Sequence, residues 1–183
     1  MKNKNYKIKE VKSIKDIPKK LLNTPIGSLL KYNNLKADLK IHGKPELIIV
    51  KCIDSREKLN IPPGFAYIIR EPAARIVNDF SLSFTIGYAG VKHVAIIGHT
   101  DCKMVDLFKK KKDTVKGLVS HAGWDRNTAQ HYFDNLSLFY SISDENEFVL
   151  QEANQLKVEY PLVNFVPLQY DVKTSKLSLI QER

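Results

Sequence analysis

Along the chain, apolar runs bounded by glycine and proline alternate with stretches whose apolar residues recur every three or four positions. The first such run, 46–52 (Glu-Leu-Ile-Ile-Val-Lys-Cys), follows the breaker Gly43-Lys44-Pro45 and predicts a strand covered on both faces. A second strand is predicted over 65–70, between the turn Pro62-Pro63-Gly64 and Pro72, and a third over 91–98. Between them, residues 77–90 place Phe80, Phe84 and Tyr88 four apart, with Leu82 and Ile86 in between, and read as a helix ending at Gly90. His99-Thr100-Asp101-Cys102 is expected to open another helix, with Thr100 or Asp101 as its cap. Residues 125–140 have helical character, and 145–157 read as an amphipathic helix with Phe148, Val149, Ala153 and Leu156 facing inward. The chain ends in 162–171 and 176–180, a strand pair around the turn Lys173-Thr174-Ser175.

Strands separated by helices imply right-handed crossovers, hence an α/β fold with a mostly parallel central sheet, flanking helices and a C-terminal edge strand pair. At 183 residues the chain suits one domain. Hydrophobic and charged fractions of 43% and 27% are those of a globular protein, and no apolar run is long enough to span a bilayer. The start of the chain lacks the apolar stretch of a signal peptide, so the expected compartment is the cytoplasm.

Charge changes this picture only locally. Residues 1–44 hold 12 lysines against Glu10, Asp16 and Asp38, which accounts for the whole formal charge of +9. The segment lacks arginines and the interleaved aromatics of single-strand binders, so it reads as a solvated surface rather than a nucleic-acid site. Lys109 to Lys112 reads as an exposed loop or helix end. The chain thus divides into a lysine-rich N-terminal helical segment, 1–44, packing on the core or on a neighbouring subunit, and an α/β domain, 45–183, that carries the chemistry.

In a parallel sheet, ligands collect beyond the carboxyl ends of the strands. Cys52, Arg70 and His99 stand at the ends of the three predicted strands, and Cys102 follows His99 by three residues. Alone, Cys52 reads as a buried thiol and His99 as a core histidine. Together, two thiolates and an imidazole give tetrahedral Zn2+ three protein ligands and one open position, the count of a catalytic rather than a structural site. Cys102 at the start of a helix would have its thiolate favoured by the dipole. Asp54 and Arg56 lie on the same side of an extended segment as Cys52. They can form a local salt bridge; Asp54 can also accept a hydrogen bond from a zinc-bound water, or itself fill the fourth position. Zinc would lower the pKa of that water to about 7, preparing attack on a small electrophilic carbon.

In order and spacing, Cys52-Ile53-Asp54-Ser55-Arg56, the run from Gly64 to Arg70 (Gly-Phe-Ala-Tyr-Ile-Ile-Arg), and Gly98-His99-Thr100-Asp101-Cys102-Lys103-Met104 resemble the three signature blocks of β-class carbonic anhydrases, the small microbial type most of all. The likeness covers Pro45 to Met104, with a weaker echo over 148–180. It implies a β-carbonic-anhydrase-like fold and a zinc-binding catalytic domain at 45–183, with Cys52, His99 and Cys102 as ligands and Asp54 and Arg56 as the catalytic dyad. It also implies reversible hydration of carbon dioxide to bicarbonate by zinc-bound hydroxide. The implied assembly is a homodimer or dimer of dimers, with the helix around 26–39 packing on the neighbour.

Two departures stand beside the likeness. Glu71-Pro72-Ala73-Ala74 replaces the family's Asn-Ala-Gly and small residue, and Lys103 replaces a glycine. The added methyls narrow a loop next to the metal, and Glu71 and Lys103 are expected to pair with each other or to block the pocket. These changes raise two alternatives: a hydrolase of carbonyl sulfide or carbon disulfide on the same site, and a zinc-binding relative without turnover. Arg70 and Arg75 are read as structural, and His42, His93, His121 and His131, which lack a partner pattern, as surface or packing residues. Other chemistries lack their signatures: there is no glycine-rich phosphate loop and no Cys-x-x-Cys, and Cys52 and Arg56 are too close to wrap a phosphate.

Overall fold

A computed structural model describes residues 5–41, 43–59, 61–77 and 80–183. The assignment of His42, and part of the first turn of the helix expected over 77–90, lie outside the described residues.

The apolar run after Gly43-Lys44-Pro45 forms β2 (Leu47–Lys51), buried along its whole length. It pairs in parallel with β3 (Ala66–Arg70) on one side and β4 (His93–His99) on the other. β4 continues in parallel to β5 (Asn164–Tyr170), which turns back antiparallel to β6 (Leu177–Glu182). The sixth strand, β1 (Tyr6–Glu10), pairs antiparallel with β6, so the sheet order is β1-β6-β5-β4-β2-β3. β1 corrects the reading of the N-terminal segment as purely helical. Its Tyr-Lys-Ile-Lys-Glu sequence buries Tyr6, half-buries Lys9 and leaves Lys7, Ile8 and Glu10 exposed, as suits a strand at the sheet's edge.

Alternation along the strands sorts side chains onto two faces. One face gathers Ile48, Val50, Cys52, Val94 and Ile96 beneath α6 (Glu145–Glu159) and Leu82 of α3 (Phe80–Ala89). The other gathers Leu47, Ile49, Ala95 and Ile97 above α1 (Lys19–Leu22) and α2 (Pro25–Leu35). Ile26, Leu29 and Leu30 of α2 are fully buried against the chain's own sheet, each such side chain contributing about 1.5–3 kcal/mol. α6 begins at Asp144, whose carboxylate accepts from the Asn146 and Glu147 amides.

α3 ends at Gly90, as its spacing predicts. Its aromatic stripe faces solvent: Phe80, Phe84 and Tyr88 stack on one another along the exposed face while Leu82 turns inward. The helix expected to open at His99 does not form there. Asp101 adopts a left-handed conformation (φ 57°), and the chain makes turns before a short 3-10 segment, Leu107–Lys110, and α4 (Lys111–Ala122). Thr100 is fastened elsewhere, its amide to the Tyr170 carbonyl (3.0 Å) and its hydroxyl to the Val172 amide (3.1 Å). The dipole expected to favour the Cys102 thiolate is therefore absent.

α4 and α5 (Arg126–Tyr140, capped by Asp125) form a hairpin around a small core of Val115, Ala129 and Phe133. A bridge between Val105 and Ile142 closes its base. Among the described residues, no helix is long and apolar enough to cross a membrane.

Candidate metal centre

β2 and β4 are neighbours in register, so the residue after β2 and the last residue of β4 emerge side by side. These are Cys52 and His99. The turn held by Thr100 brings Cys102 back to them. The donor atoms of the three residues lie within 4.8 Å of one another, and each side chain is buried, with 3%, 1% and 6% exposure for Cys52, His99 and Cys102. Gly98 makes room directly beneath: a Cβ there would stand 2.8 Å from Val149 of α6.

The donor set fits a metal ion. His99 Nδ1 lies 3.0 Å from the Thr100 carbonyl oxygen, to which it donates in the tautomer that leaves Nε2 as a lone-pair donor. Nε2 is buried with no hydrogen-bond partner, and a buried orphan of this kind calls for an electrophile. A hydrogen bond from Cys102 pushes the Cys52 thiol well below its ordinary value against the effect of burial, and the same interaction, with burial, pushes Cys102 up. Two thiols and an imidazole at this separation suit a tetrahedral N/S-preferring ion such as Zn2+.

Asp54 and Arg56 stand over this cluster. Arg56 donates Nε and Nη2 to the two Asp54 carboxylate oxygens (2.9 and 2.7 Å), and its own amide adds a third bond at 2.9 Å. This hydrogen bonding holds the Asp54 carboxyl well below the usual carboxylate range. Asp54 Oδ2 lies 3.9 Å from His99 Nε2, so the ionised carboxylate faces the space the three donors share.

Sequence reasoning missed two sets of contacts. Asp101, expected only as a cap, accepts from Arg56 Nη1 (2.6 Å) through its carboxylate and from Nη2 (2.8 Å) through its carbonyl, fixing the guanidinium from the far side. Lys103 pairs with Asp101 at 3.0 Å rather than with Glu71. On the opposite face of the sheet, Lys51 Nζ meets Glu57 Oε2 at 3.1 Å with both side chains buried. Burial pushes the Glu57 carboxyl up and the Lys51 ammonium down. Beside this pair the Tyr170 hydroxyl accepts from the Lys58 amide (3.0 Å). A lysine closing an apolar strand, with a glutamate six residues on, is the signal that marks this pair in the sequence.

The remaining candidates lie apart from the cluster. Arg70 is exposed at the end of β3, and Arg75 lies over the Phe148 ring at 4.3 Å. His121 and His131 are exposed on the helical hairpin; His93 sits half-buried at the start of β4.

Comparison with known proteins agrees with this architecture. A carbonic anhydrase from Helicobacter pylori strain J99 is 29% identical over an alignment covering 39% of this chain and 38% of that protein. The chain thus spans about two-fifths of the curated relative it matches. Among solved structures, β-carbonic anhydrase isoform I of Trichomonas vaginalis superposes with a TM-score of 0.61 at 19% identity, covering 91% of this chain and 100% of that one. The apo form of a carbon disulfide hydrolase gives 0.54 at 20% identity, covering 87% and 90%. At these identities the likeness is one of fold. The family itself rests on the carbonic anhydrase family model, which matches residues 47–180, nearly the whole sheet and both strand-end loops of the cluster. The chain belongs to the β-carbonic anhydrase family.

Proposed function

We propose that the chain is a zinc-dependent carbonic anhydrase, a lyase that interconverts carbon dioxide and bicarbonate, with Cys52, His99 and Cys102 holding the metal. One observation carries the reading: an ionised carboxylate, fixed by an arginine, beside the orphaned Nε2 of a buried Cys–His–Cys cluster. When bound, zinc supplies the acidification of water that makes hydroxide available near neutral pH. Asp54 accepts a hydrogen bond from the attacking water and so aims its lone pair at the carbon. Arg56, anchored by Asp101, keeps Asp54 ionised and oriented. The reaction adds water to CO2 and releases bicarbonate and a proton, which solvent or buffer carries away.

The working assembly we propose is a homodimer or dimer of dimers in the cytoplasm. The stacked, exposed aromatics of α3 and the free edge of β3, with Tyr67 and Ile68 exposed beside it, support association. Residues 45–183 carry the catalytic unit in this reading, and 1–44 serve as a supporting segment.

The test joins metal analysis to stopped-flow CO2 hydration from about pH 6 to about pH 9. The expectation is one zinc per chain, hydration above the uncatalysed rate, loss of zinc in Cys102→Ser, and zinc retention with at least a ~100-fold lower rate in Asp54→Asn. Full zinc occupancy without hydration would reject the reading. Sulfide release from carbonyl sulfide or carbon disulfide would then favour the second reading, which the altered 71–74 turn and the fold shared with a carbon disulfide hydrolase support.

A further inference from the structure

Asp54 stands close to where a metal ligand would stand. Two ligand atoms of one tetrahedral zinc, each bonded at about 2.0–2.1 Å, lie about 3.4 Å apart. Asp54 Oδ2 lies 3.9 Å from His99 Nε2, so a shift of about half an ångström toward the donors brings it to that separation. A carboxylate there fills the position that a reacting water must hold. Asp54 is tied to Arg56 by two side-chain bonds, and the two can move as one body unless the guanidinium is itself fixed.

Asp101 fixes it. In a left-handed conformation (φ 57°), which aspartate tolerates, this residue presents two acceptors to Arg56: its carboxylate takes Nη1 (2.6 Å) and its carbonyl takes Nη2 (2.8 Å). Nη2 thus donates both to Asp54 Oδ2 and to Asp101. Lys103 Nζ lies 3.1 and 3.0 Å from the two Asp101 carboxylate oxygens and adds a second cation to that group. The Lys103 and Asp101 side chains are 58% and 63% exposed, so this outer pair contributes less than the two bonds to Arg56. Four charges alternate along the row Asp54, Arg56, Asp101, Lys103, and Asp54 is the member that faces the space the donors share.

We propose that Asp101 is a positioning residue that, through Arg56, holds Asp54 off the metal and so keeps the fourth coordination position open, with Lys103 as a lesser support. This rests on the reading of Cys52, His99 and Cys102 as a metal site. Without the Asp101 side chain, Arg56 follows Asp54 inward, the carboxylate becomes a ligand, and the site closes.

The test loads wild type, Asp101→Gly, Asp101→Asn, Lys103→Gln, Asp54→Ala and the double variant Asp54→Ala/Asp101→Gly with cobalt(II). Each is titrated with azide, following the visible spectrum of the metal. Glycine suits φ 57° and keeps the carbonyl bond, so Asp101→Gly removes the carboxylate without straining the turn. Azide needs the open position, so its affinity is expected to fall at least about fivefold in Asp101→Gly and less than about twofold in Lys103→Gln. Asp101→Asn, whose amide oxygen can accept from Nη1, should restore most of the loss. Removing a nearby negative charge would by itself draw azide in, so the expected fall has the opposite sign to a simple charge effect. With Asp54→Ala already in place, Asp101→Gly should no longer lower the affinity. An unchanged or higher affinity in Asp101→Gly, an equal fall without the Asp54 carboxylate, or a wild type that takes cobalt but refuses azide each overturns the inference. Loss of cobalt from Asp101→Gly also overturns it, since Asp101 would then support the ligand loop itself. A wild type that takes up no cobalt retires the metal-site reading and this inference together.

Discussion

The loops bearing the Cys52–His99–Cys102 cluster and the α4–α5 hairpin are both excursions from the same strand ends, yet they are held in opposite ways. The cluster loops are tied by charge. Arg56 joins Asp54 to Asp101 across the two loops, and the buried Lys51–Glu57 pair spans the base of the first. The hairpin is held by a little apolar core, Val115, Ala129 and Phe133, whose helices pack mainly on each other and on the turn Leu107–Lys110. Directional, many-partnered contacts suit a place where donor atoms must stay within a few tenths of an ångström. An apolar satellite core tolerates local opening without moving the cluster.

The sharpest way to break this contrast is to remove charge from the base of the cluster loop. Glu57→Leu leaves Lys51 buried without its partner and is expected to cost about 3–5 kcal/mol in denaturant unfolding. The double variant Lys51→Met/Glu57→Leu removes both charges and should recover more than half of that loss. Additive losses in the cycle would show that the two side chains act independently and that charge pairing does not hold the loop.

Phe133→Ala attacks the other region. Its ring is buried in the satellite core, and truncation is expected to cost about 3 kcal/mol, felt inside the hairpin. Hydrogen exchange should then quicken in the amides of 111–140 while β2 and β4 keep their protection and zinc affinity is unchanged. Equal loss of protection in the strands would mean that the hairpin and the sheet open as one unit.

The same contrast explains what could be read from the sequence. Buried parallel strands announce themselves as continuous apolar runs, so β2, β3 and β4 were legible, and with them the placing of Cys52 and His99 at adjacent strand ends. Family signatures then singled out Asp54 and Arg56 around the cluster. What escaped was set by tertiary contact. β1 carries lysines at alternate positions because it is an edge strand with one wet face, and such a pattern resembles a solvated leader. Helical spacing in 80–89 was visible, but the spacing alone does not say that the aromatic stripe faces out. The expected helix at Cys102 failed because Asp101 is committed to Arg56 in a left-handed turn, a partnership 45 residues away along the chain.

The smallest predicted effect sharpens the comparison within the charged region itself. Glu57 meets a cation at 3.1 Å, whereas Glu152, buried on α6, accepts from the Ile76 amide and forms no ion pair among the described residues. Burial raises the Glu152 pKa above its ordinary value of 4.5, against the Ile76 hydrogen bond and the more distant Arg75. A carboxyl whose pKa is higher in the folded chain binds its proton more tightly there. Its stabilising contribution is fully present below pH 4.5 and is lost as pH rises through the folded value. Glu152→Gln keeps an acceptor for the Ile76 amide and removes the titration. The difference in Tm between the variant and wild type should therefore grow in the variant's favour from about pH 4 to about pH 8. A difference that stays flat across that window would mean that Glu152 is as well solvated in the fold as outside it. A difference that moves against the variant would mean that Arg75 holds the carboxylate charged, making the tie between α6 and the 71–76 turn ionic after all.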